Sequence, residues 1–472
     1  MKRPILDCLL TLGLCVWGYV IVGQPVQAEE TALDRYVAKP DPTYAWKVVR
    51  KVSVPGGTQY IVDLTSQTWR SEKDVNRPVW KHWLNIVKPD QPQSKTAFLF
   101  IGGGGNGGEA PQSADGNTLK IAAATKTIVA ELKMVPNQPL ILNNDGVSRK
   151  EDDFIAYTWE EFIKTGDETW PARLPMVKSA VRAMDCIQEL IASDEGGGHK
   201  VENFLVAGAS KRGWTTWCTA AVDKRVVAAV PIVIDVINVR ACVDNHIASF
   251  GFYAAAIGDY VRHNMKGRLD DPRTKQLYAI EDPYSYRERL TMPKYIVNGS
   301  GDQYFPPDSS KFYYNDLPGE KYLRYVPNTD HGLRESDALE GIIAFYHTVL
   351  TGQERPKYSW TFEADGSIRV KSPTAPKSVT LWQANNPKGR DFRVKTIGKA
   401  YKSAPLKEDS PGVYVGKIPT PEQGWSAFYV ELAYDVGIPV PLKLSTAVRI
   451  LPDTLPFADL DPAKAPLEPG DD

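Results

Sequence analysis

Apolar residues recur along this chain with changing period, and the changes divide it. Between residues 34 and 95 they alternate with polar ones in short runs: Trp46 to Val54, Tyr60 to Trp69 and Val79 to Val87. Pro55-Gly56-Gly57 separates the first two, so the segment predicts antiparallel strands joined by tight turns. From about residue 96 short apolar runs take over: Ala97 to Ile101, Leu140 to Asn143, Phe204 to Gly208, Val227 to Ile234, Tyr295 to Asn298 and Leu323 to Val326. Helical stretches lie between them, at Thr118 to Leu132, Pro175 to Ala192, Arg212 to Val222 and Ser336 to Leu350. In the second of these, Met176, Ala180, Ala183, Met184, Ile187 and Leu190 make one apolar stripe at three- and four-residue spacing. Strands alternating with helices predict a parallel sheet with crossover helices, the α/β class. Two inserts break the alternation. Glu151 to Trp170 is acidic and aromatic; residues 235–290 are polar, with a helical stretch near His246 to Ile257. Both follow strand C-termini, where open α/β sheets form their binding crevice. After Gly352-Gln353-Glu354-Arg355-Pro356 the period returns to two, with Pro and Gly turns, so residues 357–452 predict an all-β sandwich. Residues 453–472, rich in Pro and Asp, are expected to form a mobile tail.

Length and charge narrow the picture. A chain of 472 residues can hold one large α/β unit with a smaller companion. Its 56 Lys and Arg against 57 Asp and Glu give a net charge of −1, which offers nucleic acid or an anionic membrane no electrostatic reason to bind. At the N-terminus Lys2 and Arg3 precede an apolar run from Leu9 to Val22, and Val26-Gln27-Ala28 fits a cleavage site. Residues 1–28 therefore predict a signal peptide, export to the periplasm or beyond, and a first mature domain over 29–355. The run from Ile5 to Val22 is also long enough for a retained anchor. No second run of that length predicts a membrane span. Past residue 28 the cysteines are Cys186, Cys218 and Cys242. In an oxidising compartment a pair can bridge, and Cys218 with Cys242 is the expected pair, leaving Cys186 a buried thiol. The spacing offers no zinc motif, and no metal or cofactor is expected.

The sharpest local signal is Phe204-Leu-Val-Ala-Gly208-Ala209-Ser210-Lys211-Arg212-Gly213. An apolar strand enters a small-residue turn with Ser at its apex and a helix behind it, the requirement for a nucleophile elbow. The spacing is G-x-S-x-x-G; Arg212 stands where the second Gly usually falls. An ordinary helix N-cap is the plainer reading of Ser210. A serine nucleophile needs a base and an orienting acid, in the order Ser, Asp, His for this fold. His331 lies just past the last core strand, and Asp302 ends the strand before it in a glycine-rich turn; Asp235 and Asp308 are the rival acids. The run Gly102 to Gly108, broken by Asn106, follows the first parallel strand. Amides of Gly103 and Gly104, with that of Lys211, could form an oxyanion hole. Trp159, Trp170, Trp214 and Trp217 could line a cleft or pack the core, and the acidic group at Glu151 to Asp153 fits a solvated face better than a cation site. These residues describe a serine hydrolase with an α/β-hydrolase core, inserted cap segments and a C-terminal all-β sandwich. Its partner would be a small-molecule ester or peptide substrate. A binding or signalling protein on the same scaffold is the alternative, since fold does not fix function. The sequence predicts no oligomeric state.

A wider set of motifs carries a family resemblance: Pro78-Val-Trp-Lys-His82-Trp-Leu, Val135-Pro-Asn-Gln-Pro139, Glu151-Asp-Asp, Trp170-Pro, Leu174-Pro-Met, Gly208 to Trp214, Asn298-Gly-Ser-Gly-Asp302 and Leu381-Trp-Gln-Ala-Asn385. With these the chain resembles the PhoPQ-activated pathogenicity-related protein family, which takes in autocrine proliferation repressor-like proteins. The resemblance implies an α/β-hydrolase-like fold, a C-terminal β domain, export, and hydrolase positions at Ser210, Asp302 and His331. The basic residue after the Ser also resembles glucuronoyl esterases, which implies an oxyanion role that Lys211 could share.

Overall fold

The computed structural model describes residue 1 and residues 30–469. Apart from Met1, the leader expected over residues 1–28 lies outside the described residues. A nine-stranded sheet organises the first domain: β1 (Ala45–Val54), β2 (Gly57–Thr68), β3 (Val79–Pro89), β4 (Thr96–Ile101), β5 (Val129–Leu132), β6 (Asn203–Ala209), β7 (Val226–Ile232), β8 (Lys294–Gly299) and β9 (Lys321–Val326). In space they run β1-β2-β3-β5-β4-β6-β7-β8-β9. The first three strands are antiparallel, and β3 meets β5 antiparallel. Every later pair is parallel. The period change near residue 96 marks this switch. Alternating strands can face water on one side; the continuous apolar runs of β6 and β8 are buried on both.

The longer helices are α1 (Gly116–Thr125), α2 (Glu151–Thr165), α3 (Arg173–Ala192), α4 (Lys211–Val222), α5 (Val239–Phe250), α6 (Pro272–Glu281) and α7 (Ala338–Thr351), of which α1, α3, α4 and α7 pack against the sheet. The apolar stripe expected on α3 is buried, with Met176, Ala180, Ala183, Met184, Ile187 and Leu190 all in the core. Its Pro175 sits in the first turn, where the missing N–H removes no helical bond. Two expectations fail. Thr118 to Leu132 is not one helix: Lys126 turns left-handed at φ 50°, and Val129–Leu132 enters the sheet between β3 and β4. Leu140 to Asn143 adds nothing to that sheet; Leu140–Ile141 pairs only with Ser148–Arg149. In the second insert the helix lies earlier than expected, at α5, and Gly251 ends it at φ 77°.

Two antiparallel sheets follow residue 356. One holds Ser359–Phe362, Ile368–Lys371, Val413–Gly416 and Glu408–Ser410; the other holds Lys402–Pro405, Ser378–Asn386, Trp425–Tyr434 and Leu442–Ser445. They approach closely at Gly416, where a Cβ would lie 2.8 Å from Val430 and 3.1 Å from Leu381. This module also covers the open edge of the large sheet. The amides of Leu323 and Tyr325 on β9 donate to Tyr358 Oη and Ser445 Oγ, so the exposed edge finds partners.

Residues 453–469 are not the loose tail that their Pro and Asp content predicts. Phe457, Leu460 and Leu467, scattered among the polar residues, pack this segment onto the second insert. The Tyr253 amide donates to Pro466 O at 2.8 Å, and Glu468 N returns a bond to Tyr253 O at 2.8 Å. Ala465 is fully buried, and a Cβ at Gly251 would lie 2.9 Å from the Phe457 ring.

Candidate active site

Ser210 sits between β6 and α4 with φ 59° and ψ −130°, a left-handed backbone that costs a non-glycine residue on the order of 1–3 kcal/mol. Its amide donates to Ile232 O (2.8 Å), and its carbonyl accepts from Trp214 N at the start of α4. Two glycines allow the turn. A Cβ at Gly208 would lie 2.6 Å from Arg212 O; one at Gly213 would lie 2.9 Å from both Gly208 O and Ile232 O. The shifted glycine of the G-x-S-x-x-G spacing is thus the helix position that meets the strand backbone. Arg212 instead reaches toward the glycine loop. Its Nε donates to Val135 O (2.5 Å) and its two terminal nitrogens grip Glu151 at 2.8 and 2.9 Å.

That side chain ties the elbow to the glycine loop. Ile101 pairs with Gly208 across β4 and β6, so Gly102 onward leaves the sheet beside Ser210. A Cβ on Gly103 would meet the Arg212 guanidinium at 2.9 Å. The carbonyl of Gly103 accepts from Met134 N (2.8 Å), which fixes the loop. Among the described residues, the amides of Gly103, Gly104 and Lys211 donate to no protein acceptor, as donors kept for a substrate oxygen must. Met134, Glu151 and Val233 also have positive φ, 62°, 54° and 45°, so backbone strain gathers around this edge of the sheet.

Of the three candidate acids, the one beside His331 is Asp302. Its Oδ2 lies 2.7 Å from His331 Nδ1, and its Oδ1 accepts from Tyr304 N (2.8 Å). An Nδ1–H donated to this carboxylate leaves Nε2 as the lone-pair nitrogen. That Nε2 is buried and, among the described residues, makes no hydrogen bond, to the Ser210 hydroxyl or any other group. The Tyr304 ring lies 4.2 Å from the imidazole, and the His331 amide donates to Gln303 Oε1 (3.1 Å). Asp308 is taken by Arg390 and Lys311, both at 2.7 Å.

Asp235 is buried between two tyrosines, Tyr313 and Tyr325, each donating to it at 2.5 Å. Burial pushes its carboxyl up to about 7, although both phenols favour the charged form. A folded-state pKa above the unfolded 3.8 adds stability that is complete below about pH 4 and lost as pH rises through 7. Asp235→Asn is therefore expected to flatten the stability profile between pH 4 and 7. The full span is on the order of 4 kcal/mol. Urea midpoints of the two proteins at pH 4, 5.5 and 7 check this; parallel profiles sink it.

The acidic start of α2 is not a solvated face. Glu151 pairs with Lys211 Nζ (2.8 Å) as well as Arg212, and Asp152 lies 3.4 Å from Lys211 Nζ. Burial works to raise the Glu151 carboxyl, but Arg212 and Lys211 hold it near 2. The Lys211 ammonium is thereby committed to carboxylates. Beside Ser210 opens a cavity of about 120 Å³, reached by Trp159 and Trp214, whereas Trp170 and Trp217 are core. Arg173 is fully buried on its wall; its Nη2 and Nε lack hydrogen-bond partners, and Nε stands 3.8 Å from Glu281. Sequence reasoning missed Arg173 because Arg-Leu-Pro-Met reads as a helix start.

The cysteine pair does not form. Cys186, Cys218 and Cys242 are buried free thiols. Cys218 Sγ faces Glu281 O (3.7 Å) and Cys242 Sγ faces Ile237 O (3.4 Å), so each thiol on its own helix points to a different carbonyl.

The sequence model of the PhoPQ-activated pathogenicity-related protein family matches residues 33–393. The chain belongs to this family. Within reach of this PhoPQ-related protein is autocrine proliferation repressor protein A of Dictyostelium discoideum, 38% identical over 456 residues, 90% of this chain and 92% of the relative. Acetyl esterase Axe7A of Xylanibacter ruminicola is 28% identical over 156 residues, 32% of this chain and 31% of its own. Among solved structures, acetyl xylan esterase 1 from a Thermoanaerobacterium species superposes with a TM-score of 0.43 at 16% identity, covering 64% of the PhoPQ-related chain and 87% of the esterase.

Proposed function

We propose that this protein is an exported serine hydrolase with an α/β-hydrolase core, cleaving an ester or amide bond of a small molecule or peptide. The observation that carries the reading is the left-handed Ser210 at the apex of a strand–helix turn, with the His331–Asp302 pair on loops of the same sheet edge. Those loops leave β6, β8 and β9 in the chain order Ser, Asp, His. Ser210 Oγ attacks the carbonyl carbon. His331 Nε2 takes the hydroxyl proton and gives it to the leaving group; water, deprotonated by the same nitrogen, then cleaves the Ser210 acyl ester to free the acid, while Asp302 holds the imidazole in that tautomer. The amides of Lys211 and of Gly103 or Gly104 receive the oxyanion. Fluorophosphonate labelling followed by peptide mapping tests the reading: label on Ser210, lost in Ser210→Ala, is expected.

Signalling without chemistry on the same scaffold is a second reading, favoured by the name of the Dictyostelium relative. Folded wild-type protein inert to the probe and to every ester and dipeptide amide between pH 5 and 9 would select it. Among the described residues no helix is long and apolar enough to cross a membrane. For export, N-terminal sequencing of the secreted protein should begin at Glu29; a chain retaining residues 1–28 in the cell envelope argues for the anchor instead.

A further inference from the structure

The cavity beside Ser210 has walls from two sources. The first domain contributes Trp159, Trp214, Ile234 and Phe305; the second insert contributes Val239, Ile257, Tyr260, Leu269 and Tyr278. Most of its charged neighbours are paired with an opposite charge, Lys266 being held by a backbone carbonyl instead. Lys211 faces Glu151 and Asp152, and Arg173 lies against Glu281 and donates to Lys211 O at 2.6 Å. Lys266 donates to Ala465 O (2.8 Å), and Tyr260 Oη caps Asp152 at 3.2 Å. His246 accepts the Ala254 N–H at Nε2, so its buried ring brings no charge. A chamber of this lining, mostly apolar side chains, rewards apolar surface.

We infer that this chamber receives an uncharged apolar group of the substrate, bonded directly to the scissile carbonyl and holding about four to six carbon atoms. The inference rests on the hydrolase reading and names its substrate class. The size follows from the volume: at about 120 Å³ the space is somewhat smaller than the roughly 150 Å³ apolar cavity that houses benzene. An acetyl group leaves most of it empty. A dodecanoyl chain overfills it unless the insert moves. Each methylene that enters removes apolar surface from water, worth on the order of a fourfold gain in kcat/KM.

A series of p-nitrophenyl esters from acetate to dodecanoate tests this. The rate constant kcat/KM is expected to rise steeply from acetate to pentanoate or hexanoate and fall by dodecanoate. Leu269→Ala, which widens the insert wall, should move the optimum to longer chains, and Val239→Phe to shorter ones. An optimum at acetate, or one that neither variant moves, overturns the inference while leaving the hydrolase reading intact. Preference for a chain ending in carboxylate also overturns it, and would assign Arg173 to anion recognition. Should the protein label at no serine and turn over no ester, the hydrolase reading fails first. Binding then decides the chamber: ligand-observed NMR should find pentanamide held at least tenfold more tightly than acetamide, and equal binding overturns the inference.

Discussion

Ser210→Ala is expected to lower turnover of an acyl substrate by about 10⁴–10⁶ while the protein stays folded. Among the described residues the hydroxyl caps no helix N–H, and alanine keeps the Cβ that the strained turn already accommodates. His331→Ala should cost a similar factor, since the other imidazole of the neighbouring cavity, His246, has its Nε2 occupied by the Ala254 N–H. Asp302→Asn should cost about 10⁴, because an amide facing Nδ1 no longer enforces the tautomer with a free Nε2. Stopped assays on each variant, with circular dichroism to confirm the fold, check these figures. Full activity in Ser210→Ala would sink the mechanism.

Arg390→Met is expected to destabilise the protein by about 3–5 kcal/mol. Arg390 is buried, extends from the C-terminal module into the first domain, and holds Asp308 at 2.7 Å and Ser249 Oγ at 2.7 Å. Burial works to raise the Asp308 carboxyl, and Arg390 with Lys311 overcomes it, holding the group well below the usual range. Removing Arg390 leaves that charge buried with Lys311 alone. Pairing the change with Asp308→Asn should restore part of the loss. Urea denaturation at pH 7 measures both; a single-variant loss under about 1 kcal/mol refutes the account. The same stretch also bears on the site, since Val394 N donates to Gly301 O next to Asp302 and Tyr401 N to Asn328 Oδ1 on the His331 loop. The module carries none of the proposed reacting groups, yet it braces two of the loops that do.

What the sequence disclosed and what it hid have a common cause. Strands β6 and β8 were legible because burial on both faces favours a run of apolar residues, and the loops after them because a sharp exit demands glycine. Val129–Leu132 was not, because a four-residue apolar segment abutting a helix has no period of its own. The displaced glycine at 213 became intelligible only with the carbonyls it approaches. Glu151 looked like one more surface acid because its partners, Lys211 and Arg212, lie some sixty residues away. The Cys218–Cys242 pairing rested on proximity along the chain, and the fold gives each thiol its own carbonyl.

Residues 457–468 lean on the insert that walls the chamber: Leu460, Ala465 and Leu467 form one cluster with Ile247, Tyr253, Ile257 and Val261. Glu468 ties Arg393 of the C-terminal module to Ala255 N of the insert. The proposed reacting residues Ser210, Asp302 and His331 are therefore synthesised before the segment that props the insert. A chain ending at residue 456 keeps all three, together with the stretch that braces the Asp302 and His331 loops, and lacks only this C-terminal prop.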